Sequence, residues 1–146
     1  MNILCICLGN SDRSPVIRGL LELMLRNQGR NEVVVESAGV LDSAKSGEGA
    51  PALAIAIAPT YGIDLTNHRK RHLSTVDLAT INFVVAADKE TMAHLIESGV
   101  KQEIICLELE GAKNAWKSQN PHKVEAMFWA ISDALYREVI SYKFRM

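Results

Sequence analysis

The sequence predicts an α/β fold, a four-stranded parallel sheet flanked by helices. Short apolar runs without polar alternation recur along the chain, as expected of strands buried on both faces. Between them lie longer stretches with apolar residues at helical spacing. Strands that alternate with helices pair in parallel through crossover helices. In such open sheets, ligands bind beyond the carboxyl ends of the strands.

The first strand is the run from Ile3 to Leu8, bounded by Gly9-Asn10. Ser14-Pro15 starts a helix, because proline is preorganised for the first helical position. Val16, Leu20, Leu21, Met24 and Leu25 carry its apolar stripe to about Gln28-Gly29. Val33-Val34-Val35 is the second strand. Residues 38–50 are rich in Gly, Ser and Ala and form a loop. Pro51 opens a small apolar helix that ends before Tyr61-Gly62. Ile81 to Ala86 is the third strand, followed by a helix at about Lys89 to Ser98, and Ile104 to Leu107 is the fourth. A second loop runs from Glu110 to Asn120. The last helix begins near Pro121, with Val124, Met127, Phe128, Ile131, Leu135 and Val139 on its apolar face.

Residues 1–146 are expected to form a single domain, a length that buries a core without disulfides. The three cysteines are an odd number, and Cys5 and Cys7 stand two apart. This argues against a secreted disulfide framework and for a reducing, cytoplasmic setting. A net charge of −1 and a pI near 6.4 argue against a nucleic-acid or anionic-membrane partner. The N-terminal apolar run is too short to span a bilayer and lacks a basic leader. His68, His72, His94 and His122 have no metal-ligand spacing, so no metal is expected. The cluster His68-Arg69-Lys70-Arg71-His72 reads as a solvated turn or a guide for anionic substrates.

The chemistry lies in the first strand–loop–helix, Cys7-Leu8-Gly9-Asn10-Ser11-Asp12-Arg13-Ser14-Pro15. A loop between a buried strand and a helix N-terminus turns backbone N–H groups inward, and the helix dipole adds positive potential. The amides from Leu8 through Gly9, Asn10, Ser11 and Asp12 to Arg13 would form an anion cradle. Arg13 can hold two phosphate oxygens in fork geometry. The same field makes Cys7 a nucleophile, and Ser14 can donate to its sulfur. A buried Cys7 with a surface Arg13 is the bland alternative. Gly9-Asn10 and the position of the helix start favour the cradle.

This segment resembles the phosphate-binding loop of the low-molecular-weight protein tyrosine phosphatase family, whose usual form is Cys-Leu-Gly-Asn-Ile-Cys-Arg-Ser-Pro. The resemblance continues through Glu36-Ser37-Ala38-Gly39, Tyr61-Gly62-Ile63-Asp64-Leu65 with His68-Arg69-Lys70-Arg71, and Phe83-Val84-Val85-Ala86-Ala87-Asp88. It implies phosphomonoester hydrolysis, without a cofactor, on a phosphorylated protein or small phosphomonoester. Cys7 would attack phosphorus and form a phosphocysteine, while Arg13 and the loop amides held the equatorial oxygens. Asn10 would keep the loop in shape through Ser14, Ser37 and His68.

The chain departs from the family at three places. The family's general acid is an aspartate in an Asp-Pro-aromatic segment before the last helix. The counterpart here is Asn114-Ala115-Trp116, and asparagine cannot donate that proton. Glu108 and Glu110 are the nearby carboxylates and read as strand-end charges. Asp12 stands where the loop pattern has its second cysteine. Myotubularin and Sac-type lipid phosphatases resemble this loop in also carrying Asp directly before the Arg. Asp12 is therefore either an outward N-terminal acid of the helix or a relocated proton donor. Finally, Ser43 takes the place of an aromatic pocket residue, which leaves Trp116 as the aromatic wall or as core.

Two activities follow as expectations. One is a metal-independent phosphatase of this type, and the alternative is a phosphate-binding pseudophosphatase. Arsenate reductases share the fold and nucleophile loop but need relay cysteines. Residues 86–92 have none, and Cys5 and Cys106 read as packing residues.

Overall fold

In the computed structural model, which describes residues 1–145, four strands form one parallel sheet. The strands are β1 (Asn2–Cys7), β2 (Val34–Gly39), β3 (Phe83–Ala86) and β4 (Glu103–Cys106), in the order β2-β1-β3-β4. Helices α1 (Arg13–Asn27), α2 (Ala52–Ile57), α3 (Lys89–Glu97) and α4 (Pro121–Leu135) accompany them, and α4 continues through a π-turn (Tyr136–Ile140) into a last short turn (Ser141–Lys143). No helix among the described residues is long and apolar enough to cross a membrane.

Burial on both faces explains the apolar runs. Ile3, Cys5 and Cys7 of β1 enter the core under α1 and α4, with Leu21, Met127, Phe128 and Ile131. Leu4 and Ile6 alternate into a smaller core with Val84, Leu73 and Leu95 of α3. Successive residues of one strand point to opposite faces, so from Ile3 onward β1 has no place for a polar side chain. β1 lies between β2 and β3, which the chain reaches in opposite directions. The crevice opens where that order reverses, at the carboxyl end of β1.

The sequence misplaces several boundaries. β2 runs to Gly39 rather than stopping at Val35. Leu4 through Cys7 pair with Glu36, Ser37, Ala38 and Gly39, so sheet pairing overrides their loop-like composition. β3 begins at Phe83, because Leu78–Thr80 forms a 3₁₀ turn and Ile81 packs into the smaller core from a connection. β4 is Glu103–Cys106, one residue earlier than its apolar run. Cys106 is only half-buried, so it is not the enclosed packing residue the sequence suggested.

Candidate active site

Cys7 ends β1, opposite Gly39, and Arg13 begins α1. The five residues between them wrap around the Cys7 sulfur. The Asn10 amide donates to Sγ at 3.2 Å, and the Ser14 hydroxyl lies 3.1 Å from it. Cys7 and Arg13 are each 3% exposed, yet both line a cavity of about 420 Å³. Leu8, Gly9, Ser11 and Asp12 belong to the same wall.

The peptide planes follow from where their carbonyls are held. The Leu8 carbonyl accepts from the amides of Val40 and Leu41, both at 2.9 Å. In a trans peptide the N–H points the opposite way, so the Gly9 amide turns from β2. The Asn10 carbonyl accepts from His68 Nε2 at 2.7 Å, which likewise turns the Ser11 amide from His68. A carbonyl only accepts, so Nε2 carries the His68 proton. Burial, then the cations Arg18, Arg69 and Lys70, hold His68 below its usual range against the pull of that carbonyl.

Asn10 fixes the loop from its centre. It adopts φ 58°, the left-handed region that asparagine tolerates better than most residues. Its Nδ2 donates to Ser14 Oγ (2.8 Å) and Ser37 Oγ (3.1 Å), and its Oδ1 accepts from the Arg71 amide (2.8 Å). The basic cluster is therefore not a free solvated turn. His68 is buried, the Arg71 amide is committed to Asn10, and Gly39 donates to the Arg71 carbonyl at 2.9 Å. Lys70 lines the cavity.

Gly39 is needed for space. A Cβ there would lie 2.8 Å from the Leu8 carbonyl oxygen, 2.8 Å from Ala44 Cβ and 2.9 Å from the Asn10 nitrogen. Two of those neighbours are backbone of the loop itself. Gly39→Ala is expected to destabilise the fold by about 1–3 kcal/mol through overpacking. It should also displace the loop, with turnover falling more than stability. Urea denaturation alongside steady-state rates checks both.

Sequence reasoning assigns Asp88 no role, but the structure ties it to Arg13. Arg13 Nη1 donates to Asp88 Oδ2 at 2.7 Å and to the Leu109 carbonyl at 3.3 Å. Asp88 is 1% exposed and caps α3, with Oδ1 accepting from the Thr91 amide (2.8 Å) and hydroxyl (2.6 Å). Burial pushes its carboxyl up, but the hydrogen bonds from Thr91 and Arg13 prevail and hold it below the usual range. Nε and Nη2 of Arg13 have no acceptor among the described residues, which leaves two donors for an anion. The signal that could have found Asp88 is its position, an N-cap directly after the strand beside β1.

Asp12 does not point outward. It is 4% exposed, and its Oδ1 accepts from the Arg13 amide at 2.8 Å, an amide the sequence assigned to the cradle. Oδ2 is buried with no hydrogen-bond partner. Burial pushes its carboxyl up to about 6, against the hydrogen bond and charge of Arg13 and the dipoles of its own and the nearby Trp116 amide. The folded protein thus holds a proton that the unfolded chain releases between 3.8 and about 6, and stability falls as pH rises through that window. Asp12→Asn should be more stable than wild type at neutral pH by on the order of 2 kcal/mol. The gap should close as pH falls toward 4, as read by thermal or urea unfolding across pH.

Ser43, Asn114 and Trp116 all stand at the cavity wall. Ser43 and Asn114 are exposed, and Asn114 has φ 61°. Trp116 is half-buried and also lines a second cavity with Pro51, Leu53 and Ala56, so it is a partition rather than core. Glu108 pairs with Lys89 at 3.1 Å, and Glu110 accepts from the Lys89 amide at 3.3 Å, so neither lines the cradle cavity. A larger cavity of about 540 Å³ lies behind Asn114 against α4, walled by Ala112, Met127 and Ala130. It lacks both the nucleophile and the guanidinium. Cys5 is fully enclosed and Cys106 partly so, and burial pushes both thiols up.

Comparison with known proteins accords with this loop. A family model described as "Low molecular weight phosphotyrosine protein phosphatase" matches residues 2–142. Low molecular weight protein-tyrosine-phosphatase Wzb of Escherichia coli K12 is 32% identical over 96 residues, 66% of this chain and 60% of that one. The low molecular weight phosphotyrosine protein phosphatase of Sus scrofa is 25% identical over 98 residues, 67% of this chain and 61% of that one. Each alignment thus spans less than two thirds of the relative. The crystal structure of DARP, a drosophila arginine phosphatase, superposes with a TM-score of 0.82 at 20% identity, covering 100% of both chains. Because the family match extends over nearly the whole chain, and not only over the Cys7–Arg13 loop, the protein belongs to the low molecular weight phosphotyrosine protein phosphatase family.

Proposed function

We propose that the protein hydrolyses phosphomonoesters, on phosphorylated proteins or small molecules, through a phosphocysteine at Cys7. The observation that carries this is the Cys7 sulfur, held between the Asn10 amide and the Ser14 hydroxyl in a cavity shared with Arg13. The substrate dianion takes the two free donors of Arg13 and the loop amides. The thiolate attacks phosphorus in line with the leaving oxygen, the P–O bond breaks, and that oxygen takes a proton. Water then attacks phosphorus, the P–S bond breaks, and inorganic phosphate leaves.

Ser14 serves the sulfur in both steps. Its oxygen accepts from Asn10 Nδ2, so its single proton is left for the sulfur or, at 3.4 Å, for the Ala38 carbonyl. As negative charge returns to sulfur in the second step, the hydroxyl is already in place to donate. Asp88 positions Arg13 and touches no substrate. A reducing compartment such as the cytoplasm suits a free nucleophilic thiol.

A second reading, binding without turnover, rests on Asn114 at the acid segment. Steady-state hydrolysis of p-nitrophenyl phosphate separates the two. Turnover with competitive inhibition by inorganic phosphate supports the phosphatase. Phosphate binding with no turnover supports the pseudophosphatase.

A further inference from the structure

We propose that Asp12 is the residue that protonates the leaving group, through its Oδ2, in place of the acid that the Asn114 segment lacks. This rests on the phosphatase reading above. Oδ1 accepts the Arg13 amide at 2.8 Å, so a proton on this carboxyl resides on the other oxygen. Oδ2 is the buried side-chain oxygen or nitrogen without a hydrogen-bond partner among the described residues. An orphaned buried oxygen costs free energy that a purely structural cap would avoid, since serine caps equally well with a single oxygen. Asp12 lines the same cavity as Cys7 and Arg13, and its carboxylate lies against the Trp116 backbone. It therefore sits where the cradle meets the Asn114-Ala115-Trp116 segment.

The phosphate itself would deliver the acid. A bound dianion competes with Oδ1 for the Arg13 amide. Once that amide turns to phosphate, the carboxyl is released toward the open side of the cavity. Burial already lifts the carboxyl to about 6, and like-charge repulsion from the dianion lifts it further, so that the proton is held in the bound complex at neutral pH. The other charged groups around the cavity are Arg13, Lys70, Glu90, Lys113 and Lys117. Lys113 is neutralised by Glu90 at 2.8 Å, and Arg13 by Asp88. In the first chemical step the S–P bond forms and the P–O bond breaks. The Oδ2 proton passes to the departing oxygen, leaving Asp12 ionised. In the second step Asp12 takes a proton from the attacking water and is restored.

The test compares wild type and Asp12→Asn on phosphomonoesters whose leaving groups run from p-nitrophenol through phenol to a simple alcohol. Asparagine keeps the oxygen that caps the Arg13 amide, so the variant should fold, as circular dichroism would show. The loss should grow with leaving-group basicity, to about 10²–10⁴-fold on the alkyl ester and far less on p-nitrophenyl phosphate. Wild type alone should show a rate nearly independent of the leaving group. Its kcat should also fall at alkaline pH in a limb that Asp12→Asn lacks. A loss equal on all esters, no loss, or a gain on the alkyl ester would overturn the role of Asp12 while leaving the phosphatase reading intact. A wild-type protein that turns over none of them, p-nitrophenyl phosphate included, would overturn both.

Discussion

Replacing Cys7 with serine is expected to abolish turnover, by about 10⁴–10⁶-fold, as for removal of a covalent nucleophile elsewhere. The substitution is nearly isosteric. The loop should survive, because its shape depends on Asn10, Ser37, His68 and the Arg71 amide rather than on sulfur. A serine hydroxyl remains protonated where a thiol ionises, and neither group that touches the Cys7 sulfur is a base. The Ser14 hydroxyl and Asn10 amide can only share or donate protons there. Phosphate binding by Cys7→Ser, read by calorimetry, should persist within a few fold of the wild-type value. Appreciable hydrolysis by the variant would mean that another group attacks phosphorus.

The second large effect is at Arg13. Its guanidinium performs two tasks at once, with Nη1 on Asp88 and Leu109 and two donors left for phosphate. A lysine ammonium is a point charge and cannot sustain both. Arg13→Lys should lower kcat/KM by about 10³-fold, the scale of losing preorganised donors at developing charge. Arg13→Ala should also destabilise the fold by about 3–5 kcal/mol, because Asp88 would remain buried and charged without its cation. Asp88→Asn separates the tasks. It keeps an acceptor for Thr91 but removes the charge that aligns the guanidinium. The expected loss is smaller than in Arg13→Lys and greater in KM than in kcat.

The central part of this site was legible because its physics is local. Cys7 through Ser14 joins a doubly buried strand to a helix N-terminus, and consecutive residues suffice to show an anion cradle there. The four strands were legible for the same reason, through their apolar runs. β2 was cut short because Glu36-Ser37-Ala38-Gly39 is polar and small. Only the opposing β1 shows why: Gly39 must be small beneath the loop, and Ser37 must reach Asn10. Asp88 was passed over because its partner Arg13 is distant in sequence. Asp12 is the sharpest case. An acid at a helix start reads equally well as a solvated cap, and the Trp116 backbone that lies near it is distant in sequence.

The claim that Cys7 is phosphorylated during turnover is tested most directly by trapping it. Wild-type protein is mixed with p-nitrophenyl phosphate, quenched in acid within the first turnovers, digested and analysed by mass spectrometry. The account predicts one phosphoryl group on the peptide that contains Cys7, localised to that cysteine and absent from Cys7→Ser. Product release without any phosphorylated Cys7, or a phosphoryl group on a different residue, would contradict it.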